Sequence, residues 1–185
     1  MAILSMHLLG SPVLRQPSAP VTEVNEEIRR FVADLFETMD AENGVGLAAN
    51  QVGVARRVAV VDADGDRFAM INPVILERSG QVTAEEGCLS IPEIYGEVTR
   101  AAHVVIEAWD EHGRTYRKEA VGLAARAIQH EIDHLDGVLF IDHLGALKRE
   151  MILRRWRKEH KGESYVKPPK QPALAADEEA PARTG

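Results

Sequence analysis

Apolar positions mark one helix at once. Ile28, Phe31, Val32, Leu35, Phe36 and Met39 recur at i, i+3, i+4, i+7, i+8 and i+11, which lines one helical face. Asn25 or Thr22 can cap its start, and Asn43-Gly44 ends it. Upstream, Ser11-Pro12-Val13-Leu14 and Pro17 to Pro20 read as irregular or extended chain, because proline fixes φ and removes a donor. The middle reads as strands and turns. Val58 to Val61 is a short β-branched run, Asp64-Gly65 is a turn signal, and Phe68 to Ile71 follows as a second strand. His103 to Asp110, a Glu111-His112-Gly113 turn and Arg114 to Val121 predict a hairpin, with Val104, Ile106 and Ala108 on its more apolar face. Leu123 to Leu135 then predicts a helix closed by Gly137, favoured by Ala124, Ala125 and Ala127. A last helix runs from about Ala146 to Lys161.

These elements predict an α+β domain over residues 1–162. After Gly162 the composition changes to Pro168, Pro169, Pro172 and Pro181 among alanines and acids, so 163–185 is expected to be a disordered tail. The 185 residues are a one-domain length, and 45% apolar composition suffices for a core. A net charge of −7 argues against wholesale nucleic-acid binding, though it leaves room for a local basic patch. The single cysteine, Cys88, rules out an intramolecular disulfide and fits a reducing, cytoplasmic setting. The N-terminus lacks a basic leader and a long apolar stretch, so no signal peptide is expected. No apolar run reaches the roughly 18 residues of a membrane span.

The chemistry concentrates in His130-Glu131-Ile132-Asp133-His134. On a helix, positions i and i+4 share a face, so His130 and His134 can reach one metal ion. Glu131 beside the first ligand can act on a water that the metal activates. Two unrelated helical histidines are the bland alternative. A metal site also needs a third protein ligand. The position six residues past the second histidine is Phe140, which cannot ligate. Glu150 and Glu159 are candidates but sit in the basic last helix, whereas a Cys88 thiolate suits zinc or iron. Against this, a free cysteine is commonly just a small buried hydrophobe. Gly44-Val45-Gly46-Leu47-Ala48-Ala49-Asn50-Gln51 permits close backbone approach, to a substrate strand or simply in a tight turn. Its spacing is not a dinucleotide fingerprint.

Taken in order, Gly44 to Gln51, Glu86-Gly87-Cys88-Leu89-Ser90 and Gln129 to Leu135 closely resemble the three motifs of peptide deformylases, GφGφAAxQ, EGCφS and HExDH with φ apolar. Pro12-Val13-Leu14-Arg15 and the first helix also resemble that family, so the likeness spans about residues 3 to 160. The resemblance implies a fold of antiparallel sheets packed around a central helix carrying the HExxH motif, with an N-terminal and a C-terminal helix. It implies a hydrolase that removes the formyl group from the N-terminal formylmethionine of nascent peptides and releases formate. Cys88, His130 and His134 would bind one Fe²⁺ per chain, which Zn²⁺, Ni²⁺ or Co²⁺ could replace. Glu131 would be the general acid/base. The Gln51 amide and the Leu89 backbone N–H would stabilise the oxyanion, and Gly46 would contact the substrate backbone. Glu86 would help hold the Cys88 loop at the substrate site, with Arg100 as its partner.

Other positions carry weaker expectations. Asp133 is either a supporting group for His134 or a solvated helix carboxylate. Val45, Leu123, Ala127 and Ile128 are expected to line an apolar pocket for a methionine side chain. Tyr95-Gly96-Glu97 stands where many members carry an arginine, which alters contacts to the peptide past the methionine. Lys148, Arg149, Arg154, Arg155, Arg157, Lys158 and Lys161 make the last helix basic. That face is either solvated or docks on the ribosome through RNA phosphates, as the family resemblance implies. A monomer is expected. Two competing functions remain, an HExxH metallo-endopeptidase and an inactive ribosome-binding homologue.

Overall fold

The computed structural model describes residues 1–171. Helix α1 (Glu26–Ala41) begins where the sequence places it, because the Asn25 side chain accepts the Ile28 N–H at 3.0 Å. It ends at Asn43, which takes a left-handed φ of 57° while Gly44 N–H returns to the Met39 carbonyl. Strands β2 (Gly46–Ala48), β3 (Val58–Ala63), β4 (Asp66–Ser79), β7 (His103–Trp109) and β8 (Thr115–Val121) form one antiparallel sheet in the order β2-β3-β4-β7-β8. Strand β2 is therefore an edge.

Strand alternation divides the core between two helices. Ala59, Val61 and Ala63 of β3 face a cluster with Val104, Ile106, Ala125 and Ile128. Their neighbours Val58 and Val60 face Ile28, Val32, Leu35 and Met39 of α1. The sheet thus lies between α1 and α2 (Gly122–Leu135). Helix α2 is anchored from outside its own segment. Asp64, at φ 54° in the β3–β4 turn, accepts the Ala124 N–H at 3.2 Å, which places a carboxylate at the helix N-terminus.

A separate hairpin, β5 (Val82–Cys88) and β6 (Ile91–Arg100), was not visible in the periodicity. It packs with Leu139, Phe140, Ile141, Leu144 and Trp156 in a third cluster. Trp156 belongs to α3 (Ala146–Glu159) and donates its indole N–H to the Leu9 carbonyl at 2.8 Å. The α+β architecture with a central HExxH helix is the one expected. Two boundaries differ. The second strand runs to Ser79 rather than Ile71, past Pro73 and through register shifts that hide its pattern. The chain after Gly162 also does not leave the domain at once: β9 (Val166–Lys167) pairs antiparallel with β1 (Met6–His7). The rest of the expected tail, 172–185, lies outside the described residues.

Ile128 is fully buried in the cluster beneath the sheet. Its truncation to alanine should lower unfolding free energy by about 2–5 kcal/mol through lost burial and a residual cavity. Urea unfolding checks this. A variant of unchanged stability with impaired turnover would instead mark Ile128 as a pocket wall.

Candidate metal centre

Helix α2 and the β5–β6 turn meet at one point. Cys88 Sγ lies 3.3 Å from His134 Nε2, which lies 3.1 Å from His130 Nε2. The donor atoms of Cys88, His130 and His134 all fall within 4.8 Å of one another. Two donors bound tetrahedrally to one zinc-like ion would sit about 3.3–3.6 Å apart, so the spacing fits a shared ion. A thiolate and two imidazoles also suit a borderline-soft divalent metal. The competing third ligands are elsewhere: Glu150 and Glu159 are exposed on α3 and face Arg154 and Arg155.

A chain of ion pairs holds this cluster from behind. Glu86 binds with both oxygens, to Arg100 Nε at 2.5 Å, Arg100 Nη2 at 3.0 Å and His130 Nδ1 at 3.1 Å. The Nδ1–H of His130 is thereby committed to Glu86, which leaves the Nε2 lone pair for the metal. Arg100 also donates to Asp133 at 2.9 Å, and His143 Nε2 meets the same carboxylate oxygen at 2.8 Å. Asp133 is thus a partly buried member of this network, paired on both sides, and not a freely solvated helix carboxylate. Burial alone would raise the Glu86 carboxyl, but hydrogen bonds from His130 and Arg100 outweigh it and bring its pKa to about 2.

Glu131 has the opposite environment. Its Oε2 is buried with no hydrogen-bond partner, and burial raises its pKa to about 7 despite the opposing charges of His130 and Arg100. It packs on Gly46, where an added Cβ would stand 2.5 Å from Oε1. That contact is why the edge strand needs glycine there. Gly44 similarly admits Leu89, whose methyl would lie 2.7 Å from an added Cβ. Gln51 is buried, and its Oε1 accepts the Ala48 N–H at 2.9 Å. Its Nε2 therefore points to Ser90 Oγ at 3.1 Å and toward Cys88 Sγ at 3.6 Å.

In front of these groups opens a cavity of about 500 Å³. Val45, Gly46, Leu123 and Ala127 line it. Ile128 does not: it faces the sheet, because α2 turns about 100° per residue and its neighbour Ala127 takes the cavity side. Glu86 borders the cavity but spends its carboxylate on Arg100 and His130, so it positions a histidine and does not present oxygens to a ligand. Sequence reasoning gave no role to Ser90, His143, Arg126 or Lys167 here. Ser90 lay inside a motif and Arg126 one turn before one on the same helix, whereas His143 and Lys167 lie outside the motifs.

Glu86 has a depressed folded-state pKa, so its contribution to stability is present above about pH 4.5 and is lost as pH falls toward about 2. Glu86→Gln should be less stable than the parent near neutrality, with the gap in urea midpoints closing over that range; a constant gap would contradict the ion-pair assignment. Gly46→Ala should displace the Glu131 carboxylate and slow turnover by on the order of 10²-fold with metal content retained. An unimpaired Gly46→Ala enzyme would show that the contact is not needed.

The comparisons with known proteins agree with this geometry. Residues 3–150 match the family model described as Polypeptide deformylase. The peptide deformylase of Alkalilimnicola ehrlichii is 49% identical over 162 residues, covering 85% of this chain and 91% of the relative. The solved peptide deformylase of Ehrlichia chaffeensis in complex with actinonin aligns with a TM-score of 0.83 at 35% identity, covering 87% of this chain and 99% of that one. The peptide deformylase of Thermus thermophilus aligns with a TM-score of 0.79 at 43% identity, covering 85% of this chain and 95% of that one. Sequence and backbone agree, and the chain belongs to the polypeptide deformylase family.

Proposed function

We infer that this chain hydrolyses the formamide bond of N-formylmethionyl peptides, releasing formate and a free N-terminus. The observation that carries the reading is Glu131, a buried, unpartnered carboxylate between a Cys-His-His donor cluster and a glycine-walled cavity. Cys88, His130 and His134 would hold one divalent ion. We assign it as ferrous iron from the family resemblance, with zinc, nickel or cobalt able to replace it. When bound, such an ion supplies Lewis acidity, which lowers the pKa of water and polarises a carbonyl oxygen.

The remaining work falls to the chain's own groups. Ionised Glu131 takes a proton from the attacking water at a carboxylate oxygen, then returns it to the leaving amine nitrogen. Burial keeps that carboxyl ready to hold a proton near neutral pH. Gln51 Nε2 and the Leu89 backbone N–H donate to the oxygen that gains charge at the formyl carbon. The Gln51 donor is preset, because the Ala48 N–H fixes which end of the amide faces Cys88. Gly46 lets the peptide backbone pass close to Glu131, and Val45, Leu123 and Ala127 form apolar wall for the methionine side chain.

The setting is proposed from chemistry and resemblance together. No helix among the described residues is long and apolar enough to cross a membrane. We propose a cytoplasmic monomer acting on nascent chains, with α3 docking near ribosomal RNA through its exposed Lys148, Arg149, Arg157 and Lys158. Ribosome binding that ignores salt, or its absence, would count against the docking.

The deciding assay is formate release from formyl-Met-Ala-Ser by protein purified without oxygen and loaded with nickel or iron. A chelator and Cys88→Ala should each abolish release. Glu131→Ala should keep its metal and lose nearly all turnover. Retained turnover in Glu131→Ala would remove Glu131 from the acid/base role, and cleavage of unblocked peptides would move the assignment to an endopeptidase.

A further inference from the structure

The chain beyond α3 folds back onto the cavity. Tyr165 offers its carbonyl to the Leu8 N–H at 2.7 Å, and its ring covers Gly10, where an added Cβ would stand 2.7 Å from it. Val166–Lys167 then pairs with Met6–His7. This strap delivers Lys167 to the end of α1, with its ammonium 3.3 Å from Glu42, and Lys170 lies 3.2 Å from the same carboxylate oxygen. The Glu42 side chain is only 8% exposed, whereas the lysines are 40% and 41% exposed. Two cations share one carboxylate, and Lys170 also donates to the Ala41 carbonyl at the C-terminal end of α1 at 3.1 Å, which leaves Lys167 the more weakly partnered of the two. Lys167 has three donors, and Glu42 takes one of them.

Lys167 and Glu42 both line the cavity. From Glu42 the wall continues through Asn43, Gly44 and Val45 to Gly46, which packs on Glu131. Four residues of extended chain reach about 13 Å at most. A peptide with its blocked end at Glu131 that follows this wall brings roughly its second to fourth residues to Lys167. A formylated N-terminus carries no charge, so any charge that this end can read belongs to side chains farther along. Glu85 and Glu93 line the hairpin side of the cavity and Arg126 lines it from α2, so the strap end is where Lys167 itself can read an anion, and only variants at Lys167 separate its effect from that of Arg126.

We propose that Lys167, held by the C-terminal strap, is a specificity-determining residue that favours formylmethionyl peptides with an acidic side chain downstream of the methionine. The proposal rests on the deformylase reading above. The test compares formate release, at low ionic strength and with the full metal-loaded chain, from formyl-Met amide, formyl-Met-Ala-Asp amide and formyl-Met-Ala-Lys amide. The acidic peptide should exceed the basic one in kcat/KM by roughly 3- to 10-fold, mainly through KM, and the ratio should shrink as salt screens it. Lys167→Glu should invert the ratio, and Lys167→Met, which keeps the stem of the side chain, should level it; metal content and thermal unfolding report that each variant is folded. Equal rates on both peptides with the parent enzyme, or a ratio unmoved by either variant, would overturn the proposal. No release from formyl-Met amide by the parent enzyme would instead overturn the deformylase reading.

Discussion

One buried guanidinium joins the two halves of the candidate metal site. Arg100 sits at the end of β6, 4% exposed, and binds Glu86 on the strand that leads to Cys88 and Asp133 on the helix that carries both histidines. The hairpin and α2 belong to different core clusters, so apolar packing alone sets their relative position only loosely. Buried ion pairs add little net stability, because desolvation offsets most of the attraction. What Arg100 contributes is geometry: its fork bonds both carboxylates at defined angles. It works with two further directional links between hairpin and helix: Glu86 meets His130 Nδ1 at 3.1 Å, and the Gln129 amide bonds the Ala101 N–H and carbonyl at 3.0 and 2.9 Å.

The same arrangement separates the roles of two nearby carboxylates. Glu86 and Glu131 are both buried, yet Glu86 is held near pKa 2 and Glu131 rises to about 7. The difference lies in their partners. Glu86 is saturated by Arg100 and His130 and stays an anion, which orients the His130 ring. Glu131 has a buried oxygen with no hydrogen-bond partner and packs on Gly46, and burial raises its carboxyl. One carboxylate is structural and the other is available for proton transfer, and environment alone distinguishes them.

Much of this was legible in the sequence where the signal is local. The α1 face, the HExxH helix and the β7–β8 hairpin all show their periods directly, and the i, i+4 histidines share a face by helical geometry. The β5–β6 hairpin was not legible. Its inner positions include Glu86 and Arg100, polar residues buried because they bind each other, so hydrophobic alternation fails there. The pairings that build the site also span 14, 33 and 44 residues, beyond any local pattern. Cys88 shows the limit most plainly: spacing alone could not separate a candidate ligand from a small buried hydrophobe, and only the ordered motifs favoured the first reading. Ile128 erred for a different reason, since an apolar residue on the motif helix belongs equally well to core or pocket until the sheet's position is known.

The composition change after Gly162 misled in an instructive way. Pro168 and Pro169 cannot extend a helix, and a proline-rich, core-poor segment reads as a tail. Yet a strand needs only two paired residues and a ring to cover, and Val166, Lys167 and Tyr165 supply these against β1 and Gly10. The cavity wall is therefore composite, built from the end of α1, the edge strand, the hairpin, α2 and this late strap. The first four contribute the reacting centre and its closest walls. The strap contributes only at the far end, away from Glu131, where a change of residue can alter which peptides are held without disturbing how the formyl bond is broken. A segment outside the motifs is free to vary in that way because the chemistry does not depend on it.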